Sequence, residues 1–148
     1  MLTYKVFILV MMVALHILED FHLQGILASM KQKSWWKKEC EKLGIDLDSS
    51  KYRNDYIVAL VVHSLENSIF IMLPVIIDNL VTTITVNPYN SFYILWAITI
   101  ILNTVAHVVI DNQKCNKNSI NLVSDQIKHL LLILFCYEIS WKYLGLWM

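Results

Sequence analysis

The stretch Asn103-Thr-Val-Ala-His107-Val-Val-Ile-Asp111 places two ionisable side chains at the end of an apolar run. His107 and Asp111 are four residues apart. On an α-helix that spacing puts them on one face, about 6 Å apart along the axis. Ionisable groups in an apolar helix of membrane-spanning length are costly, and they usually face a partner, a cavity or a metal. The same spacing recurs as His16–Asp20 and, in reversed order, as Asp125–His129. A fold for this chain must therefore bring three polar faces together inside an otherwise apolar molecule.

The 148 residues are one domain's worth of chain. Hydrophobic residues make up 57% and charged residues only 16%, with three glycines and two prolines, which suits long packed helices better than a soluble α/β domain. Net charge is zero with neutral histidines, so no basic field points to nucleic acid. Cys40, Cys115 and Cys136 lack CxxC spacing and imply neither a disulfide framework nor a zinc ribbon.

In chain order, residues 4–28 read as a first membrane helix. No convincing small-residue cleavage site follows Val6–Leu18, and His16, Glu19, Asp20 and His22 stand where a signal peptide would be cut. Residues 30–55 break the apolar pattern with seven Lys/Arg interspersed with acids and with Trp35-Trp36 among the lysines. This predicts an interfacial insert with a short surface helix ending near Gly44. Residues 56–78 form the second span, with Pro74 near its end. Residues 81–90 predict a loop turning at Asn87-Pro88. Residues 91–113 and 120–147 complete four helices near the roughly 20-residue length that crosses a bilayer. The fold expected is an all-α, integral-membrane four-helix bundle, a single domain with a cytoplasmic helical insert between helices 1 and 2.

The segments joining helices 1–2 and 3–4 carry nine of the twelve Lys/Arg, and the segment joining helices 2–3 carries none. The positive-inside rule puts the first two in the cytoplasm and both termini on the far side. With that topology the reversed order Asp125–His129 in the outward-running fourth helix matches the depth order of the other two pairs. His63 lies seven residues from Tyr56 and His107 seven from Lys114, each about 10 Å deep by helix rise. All four helices then supply a histidine to one layer, and three supply an aspartate just below it.

Imidazole and carboxylate are ligands for divalent transition metals such as Zn, Mn or Fe. His16, Asp20, His63, His107, Asp111, Asp125 and His129 are the candidate metal ligands, for one or two ions. Two ions bridged by a carboxylate could activate a water. Asp20, Asp111 and Asp125 double as candidate catalytic carboxylates, and Glu66, one turn from His63, is a weaker candidate for ligand or base. Glu19 and His22 read as facing headgroups, Asn103 as orienting His107, and Lys128 as able to neutralise Asp125. Two other readings stand beside the metal centre. The polar groups could glue the helices together by hydrogen bonding. They could instead form an ion or proton path in a small transporter, assembled as a homo-oligomer. Against the path, the outer halves of helices 1 and 3 look apolar.

The segments His16-Ile-Leu-Glu-Asp20-Phe-His-Leu-Gln24 with Lys31, His107-Val-Val-Ile-Asp111 with Lys114, and Asp125-Gln126-Ile-Lys-His129 resemble the pattern of an uncharacterised family of small integral membrane proteins of bacteria and their phages. The pattern spans nearly the whole chain and includes a middle histidine, His63. It is similar in style to membrane-bound metal-dependent hydrolases. The resemblance implies a multi-pass protein of the bacterial inner membrane. It groups Asp20, Gln24, Lys31, His63, His107, Asp111, Lys114, Asp125, Gln126 and His129 as one site, with Lys31, Lys114, Gln24 and Gln126 on the substrate or anion side. Lys31 and Lys114 would suit a phosphate or anionic headgroup, and equally the anionic leaflet. The function expected is a membrane-embedded metal-dependent hydrolase, with membrane lipids as surroundings and a lipid or phosphate ester as substrate. The alternatives are a non-enzymatic phage or host-interaction protein with a structural polar core, and the transporter.

Overall fold

The computed structural model describes residues 2–86 and 93–143, and these are mostly helical with no strand among them. Helix α1 (Leu2–Leu18) runs into a π-helical turn (Glu19–Leu23), followed by the short α2 (Leu27–Met30), α3 (Lys33–Lys42), the long α4 (Asp55–Val86), α5 (Tyr93–Cys115) and α6 (Leu122–Tyr143). Among the described residues, three stretches are long and apolar enough to cross a membrane: Thr3–Leu23, Asp55–Val81 and Tyr93–Cys115.

The four long helices close a ring, with α1 against α4, α4 against α5, α5 against α6, and α6 back against α1. One core joins them all: Ile8 and Met12 of α1, Ile71, Met72 and Val75 of α4, Trp96 of α5, and Ile133, Cys136 and Tyr137 of α6. Small polar side chains hold the helices close. Asn103 Nδ2 donates to Ser68 Oγ at 2.7 Å, and Thr104 Oγ1 contacts the same oxygen at 3.0 Å.

Local chemistry sets the helix ends. Gly25, in the left-handed region at φ 51°, ends the first helical stretch, so the expected single helix over 4–28 is broken there. Helix α3 closes on a Schellman motif: Ile45 N donates to Cys40 O at 2.9 Å and Gly44 N to Glu41 O at 3.1 Å, with Gly44 at φ 69°. Asn121 caps α6, its Oδ1 accepting from Ser124 N at 2.9 Å.

The second long helix differs most from expectation. It does not end near residue 78 but continues twelve residues past Pro74 to Val86, so residues 81–86 are helix rather than loop. Proline removes one backbone bond, and the helix keeps the rest on either side of it. The β-branched run from Val81 costs only a few tenths of a kcal/mol per residue in helix propensity, roughly. The Asn87-Pro88 turn and the ends of the expected helices at 91–92 and 144–147 lie outside the described residues.

Candidate metal centre

Each long helix delivers one histidine to a common point. His16, His63, His107 and His129 are all buried, none more than 1% exposed. Their rings converge: His107 and His129 have centroids 4.1 Å apart, His16 and His129 5.2 Å, and His63 and His107 5.2 Å. The three aspartates lie against this cluster and are also buried. The structure thus brings together all seven residues that the spacing and topology singled out.

Asp111 is the hub. Its Oδ1 lies 3.2 Å from His129 Nε2 and 3.6 Å from His107 Nε2, and its Oδ2 lies 3.3 Å from His63 Nε2. Asp20 Oδ1 is 3.5 Å from His63 Nε2, and Asp125 Oδ1 is 3.5 Å from His129 Nε2. Gln126 Nε2 joins the outer two aspartates, donating to Asp20 Oδ2 at 2.9 Å and to Asp125 Oδ2 at 3.2 Å.

Lys31 and Lys114 reach the same cluster by different routes, and each is paired with a carboxylate. Lys31 Nζ lies 2.7 Å from Asp111 Oδ2, and Lys114 Nζ lies 2.6 Å from Asp125 Oδ2. Lys31 is buried, whereas the Lys114 side chain is about one-third exposed (32%). Asn116, in the connector after α5, holds the backbone around Lys31: its Nδ2 donates to Lys31 O at 3.1 Å and its Oδ1 accepts from Lys33 N at 2.7 Å. Burial by itself pushes the Lys31 ammonium's pKa down, but the charge and hydrogen bond of Asp111 outweigh it and hold the value above the ordinary 10.5. A raised lysine pKa stabilises the fold fully below the unfolded value and is lost as pH rises through the folded one. We expect the Lys31→Met variant to lose its stability deficit relative to wild type only above about pH 10.5, read by thermal unfolding across an alkaline series.

Glu66 does not belong to the site. It is exposed on α4, and the inward position one turn from His63 is taken by Asn67. Gln24 also stands apart from the carboxylates, since its side-chain amide bonds the backbone carbonyl of Asp20. Lys128 pairs with Gln113 at 2.6 Å, so Lys114 rather than Lys128 neutralises Asp125. His22 is exposed, and Asn103 binds Ser68 one turn from His107.

Glu19 is the residue that spacing alone misplaced. It is 1% exposed, with Oε1 3.1 Å from His63 Nδ1 in a close but poorly aligned approach. Its Oε2 accepts from Asn67 Nδ2 at 2.6 Å. Asn67 also flanks His16, with Nδ2 at 3.1 Å and Oδ1 at 3.4 Å from His16 Nδ1. The π-turn accounts for Glu19. Its wider winding, marked by the bond from Gln24 N to Glu19 O at 3.1 Å, lets the adjacent acids Glu19 and Asp20 both turn inward. Glu19 stands three residues after His16, and that i,i+3 spacing was the signal available in the sequence.

These donors fit a metal ion. Two groups of three buried side chains, Asp20–His63–His107 and His107–Asp111–His129, each bring one ligand atom per residue within 4.8 Å of the others. His16 Nε2, His63 Nε2, His107 Nε2 and Asp125 Oδ1 are buried and have no hydrogen-bond partner among the described residues. Orphaned buried polar atoms are costly in a native fold, and these are atoms of types that ligate divalent ions. Glu19 and Asn67, on the far nitrogens of His63 and His16, occupy the places of outer groups that fix imidazole tautomer and orientation. We expect Glu19→Gln to weaken divalent-metal binding about 10- to 100-fold, and Glu66→Gln to leave it unchanged. Equilibrium dialysis of the detergent-solubilised protein against Zn²⁺ measures both.

Comparisons of the chain with family models, with curated proteins and with solved structures find no match, so the reading of this centre rests on its own geometry and chemistry.

Proposed function

We propose that this protein is a membrane-embedded, metal-dependent hydrolase with its His/carboxylate centre at the cytoplasmic side of a four-helix bundle. The observation that carries the reading is the convergence of four buried histidines from four helices on three buried aspartates, with imidazole nitrogens that lie near carboxylate oxygens but make no hydrogen bond to them. One such group in a membrane helix is a functional-site hypothesis by default. Bundle cores build metal sites in this way, from side chains on facing helices.

The membrane part of the proposal draws support from what the helices turn outward. Phe7, Val10, Met11, Val58, Ile94, Ile101, Val105, Leu131 and Phe135 are all exposed, which suits lipid rather than water. Helix α6 belongs with the spans on this account, since Leu122, Val123, Ile127, Leu130, Leu131, Leu134 and Phe135 form its outer face. At 1.5 Å per residue the 32-residue α4 is about 48 Å long, more than a hydrocarbon core of about 30 Å needs. Segment 24–54, with α2 and α3, forms the cytoplasmic insert. Its charge, with Lys114 and Lys117, sets the orientation.

A divalent metal bound at the centre would supply Lewis acidity for polarising a phosphoryl or carbonyl oxygen and for lowering the pKa of a water. His16, His63, His107 and His129 would hold it together with Asp111 and one of Asp20 or Asp125. The remaining carboxylate is placed to accept a proton. Gln126 holds Asp20 and Asp125 together at the more open end of the cluster, beside the partly exposed Lys114. That position makes Lys114 the better placed of the two lysines to meet an anionic group. The expected substrate is a lipid or phosphate ester of the cytoplasmic leaflet. The test is hydrolysis of phospholipid and aryl phosphate esters by the full chain in nanodiscs. Turnover that is lost with a chelator and restored by metal supports the proposal. Turnover insensitive to chelation, or none with any ester in the metal-loaded protein, argues against it.

A purely structural polar core is the second reading, favoured by the pairing of Lys31 and Lys114 with Asp111 and Asp125. It predicts that His107→Ala lowers stability while metal content does not change. An ion path is less well supported: beyond the histidines the apolar layer of Met12, Ile71, Met72, Val75 and Ile133 fills the interior.

A further inference from the structure

We infer that the centre takes a single divalent cation per chain, and that Lys31 and Lys114 act as built-in cations where a second ion would otherwise sit. The inference rests on the metal reading above and fixes its stoichiometry. Three independent features carry it.

The two three-residue ligand groups, Asp20–His63–His107 and His107–Asp111–His129, share His107. A neutral imidazole offers one lone pair and serves one ion, so the groups describe neighbouring positions of one cation rather than two filled sites.

The carboxylates are divided in a consistent way. Asp111 gives Oδ2 to Lys31 at 2.7 Å, with His63 Nε2 3.3 Å from the same oxygen, and turns Oδ1 toward His107 and His129. Asp125 gives Oδ2 to Lys114 at 2.6 Å and turns Oδ1 toward His129. Asp125 Oδ1 has no hydrogen-bond partner of its own. A carboxylate that bridges two ions most often does so with one oxygen on each. Here a lysine ammonium occupies one oxygen on each of these two aspartates.

The charges agree. Glu19, Asp20, Asp111 and Asp125 bring four negative charges to the cluster, and Lys31 and Lys114 bring two positive ones. If the histidines bind as neutral imidazoles, as metal ligands must, two negative charges are left over, which one divalent cation would neutralise. A second would leave a buried excess of positive charge, which is strongly penalised away from water. Without the lysines, the same acids would call for two ions.

The experiment uses the full, untagged chain in detergent, saturated with Zn²⁺ and in parallel with Mn²⁺. After dialysis, metal is measured against protein determined by amino-acid analysis. One ion per chain is the expected result. Two ions per chain would overturn the inference and leave the metal centre standing. None would remove the metal reading itself, so the two failures are distinguishable. Lys114→Gln is the second variant, chosen because Lys114 is partly exposed and its loss should spare the fold. We expect it to take up a second ion or to bind the first at least tenfold more tightly. Unchanged stoichiometry and affinity would overturn the role given to the lysines, and the wild-type count decides the stoichiometry whether or not the variant folds.

Discussion

Replacing His107 with alanine is expected to abolish stoichiometric metal binding, with at least a 100-fold loss of affinity. His107 belongs to both three-residue groups, so its removal leaves neither complete. Loss of an orienting outer group costs about 10- to 100-fold in metal affinity, and loss of a shared ligand should exceed that. His107 is also fully packed, 1% exposed, with its ring 4.1 Å from that of His129. The substitution therefore opens a cavity, and a stability loss of about 1–3 kcal/mol is expected whatever the site's function. Two readouts separate the effects. His107→Gln keeps most of the volume and a polar tip but replaces the imidazole. If it restores thermal stability without restoring metal, His107 is a ligand. If it retains metal as wild type does, the ligand role fails.

The second large effect is expected at Asp111. Asp111→Ala removes the carboxylate that meets Lys31, His63 and His129 at 2.7, 3.3 and 3.2 Å. It leaves the Lys31 ammonium buried without its partner. Breaking a buried pair from one side costs about 3–5 kcal/mol, mostly through the uncompensated charge left behind. Chemical unfolding in mixed micelles should show a loss of that size. Adding Lys31→Met to Asp111→Ala removes the stranded charge, and the double variant is expected to recover at least half of the loss. A double variant no more stable than Asp111→Ala alone would contradict the assignment of the loss to Lys31. The reverse single change, Lys31→Met, should cost less. Asp111 then keeps the imidazoles of His63 and His129 as partners.

The parts of this centre that were legible in the sequence follow from helix geometry. An i,i+4 pair shares a face whatever the helix packs against. The charge asymmetry of the connecting segments then aligned the three pairs in depth. His16–Asp20, His107–Asp111 and Asp125–His129 meet in one buried cluster, and His63 joins them. What was not legible depends on departures from ideal helices and on approaches between distant segments. Glu19 is inside because a π-turn widens the helix at the point where α1 ends. Glu66 is outside because the inward side of α4 after His63 is the i+4 position, Asn67, and not i+3. Lys31 reaches Asp111 because Asn116 pins the segment after α2 to the end of α5, a contact between residues 85 apart in the chain. No local pattern announces it. The extension of α4 past Pro74 belongs to the same class, since polar threonines and a proline read as loop until their surroundings are known.

Every role assigned to these side chains depends on a divalent ion among the four histidines. X-ray absorption at the zinc edge of the zinc-loaded protein tests it most directly. The account predicts only nitrogen and oxygen donors at about 2.0–2.1 Å, with multiple-scattering features from several imidazoles, and loss of those features in His107→Ala. Sulfur donors at about 2.3 Å, which would point to Cys40, Cys115 or Cys136, or a spectrum unchanged by the His107 substitution, would contradict it.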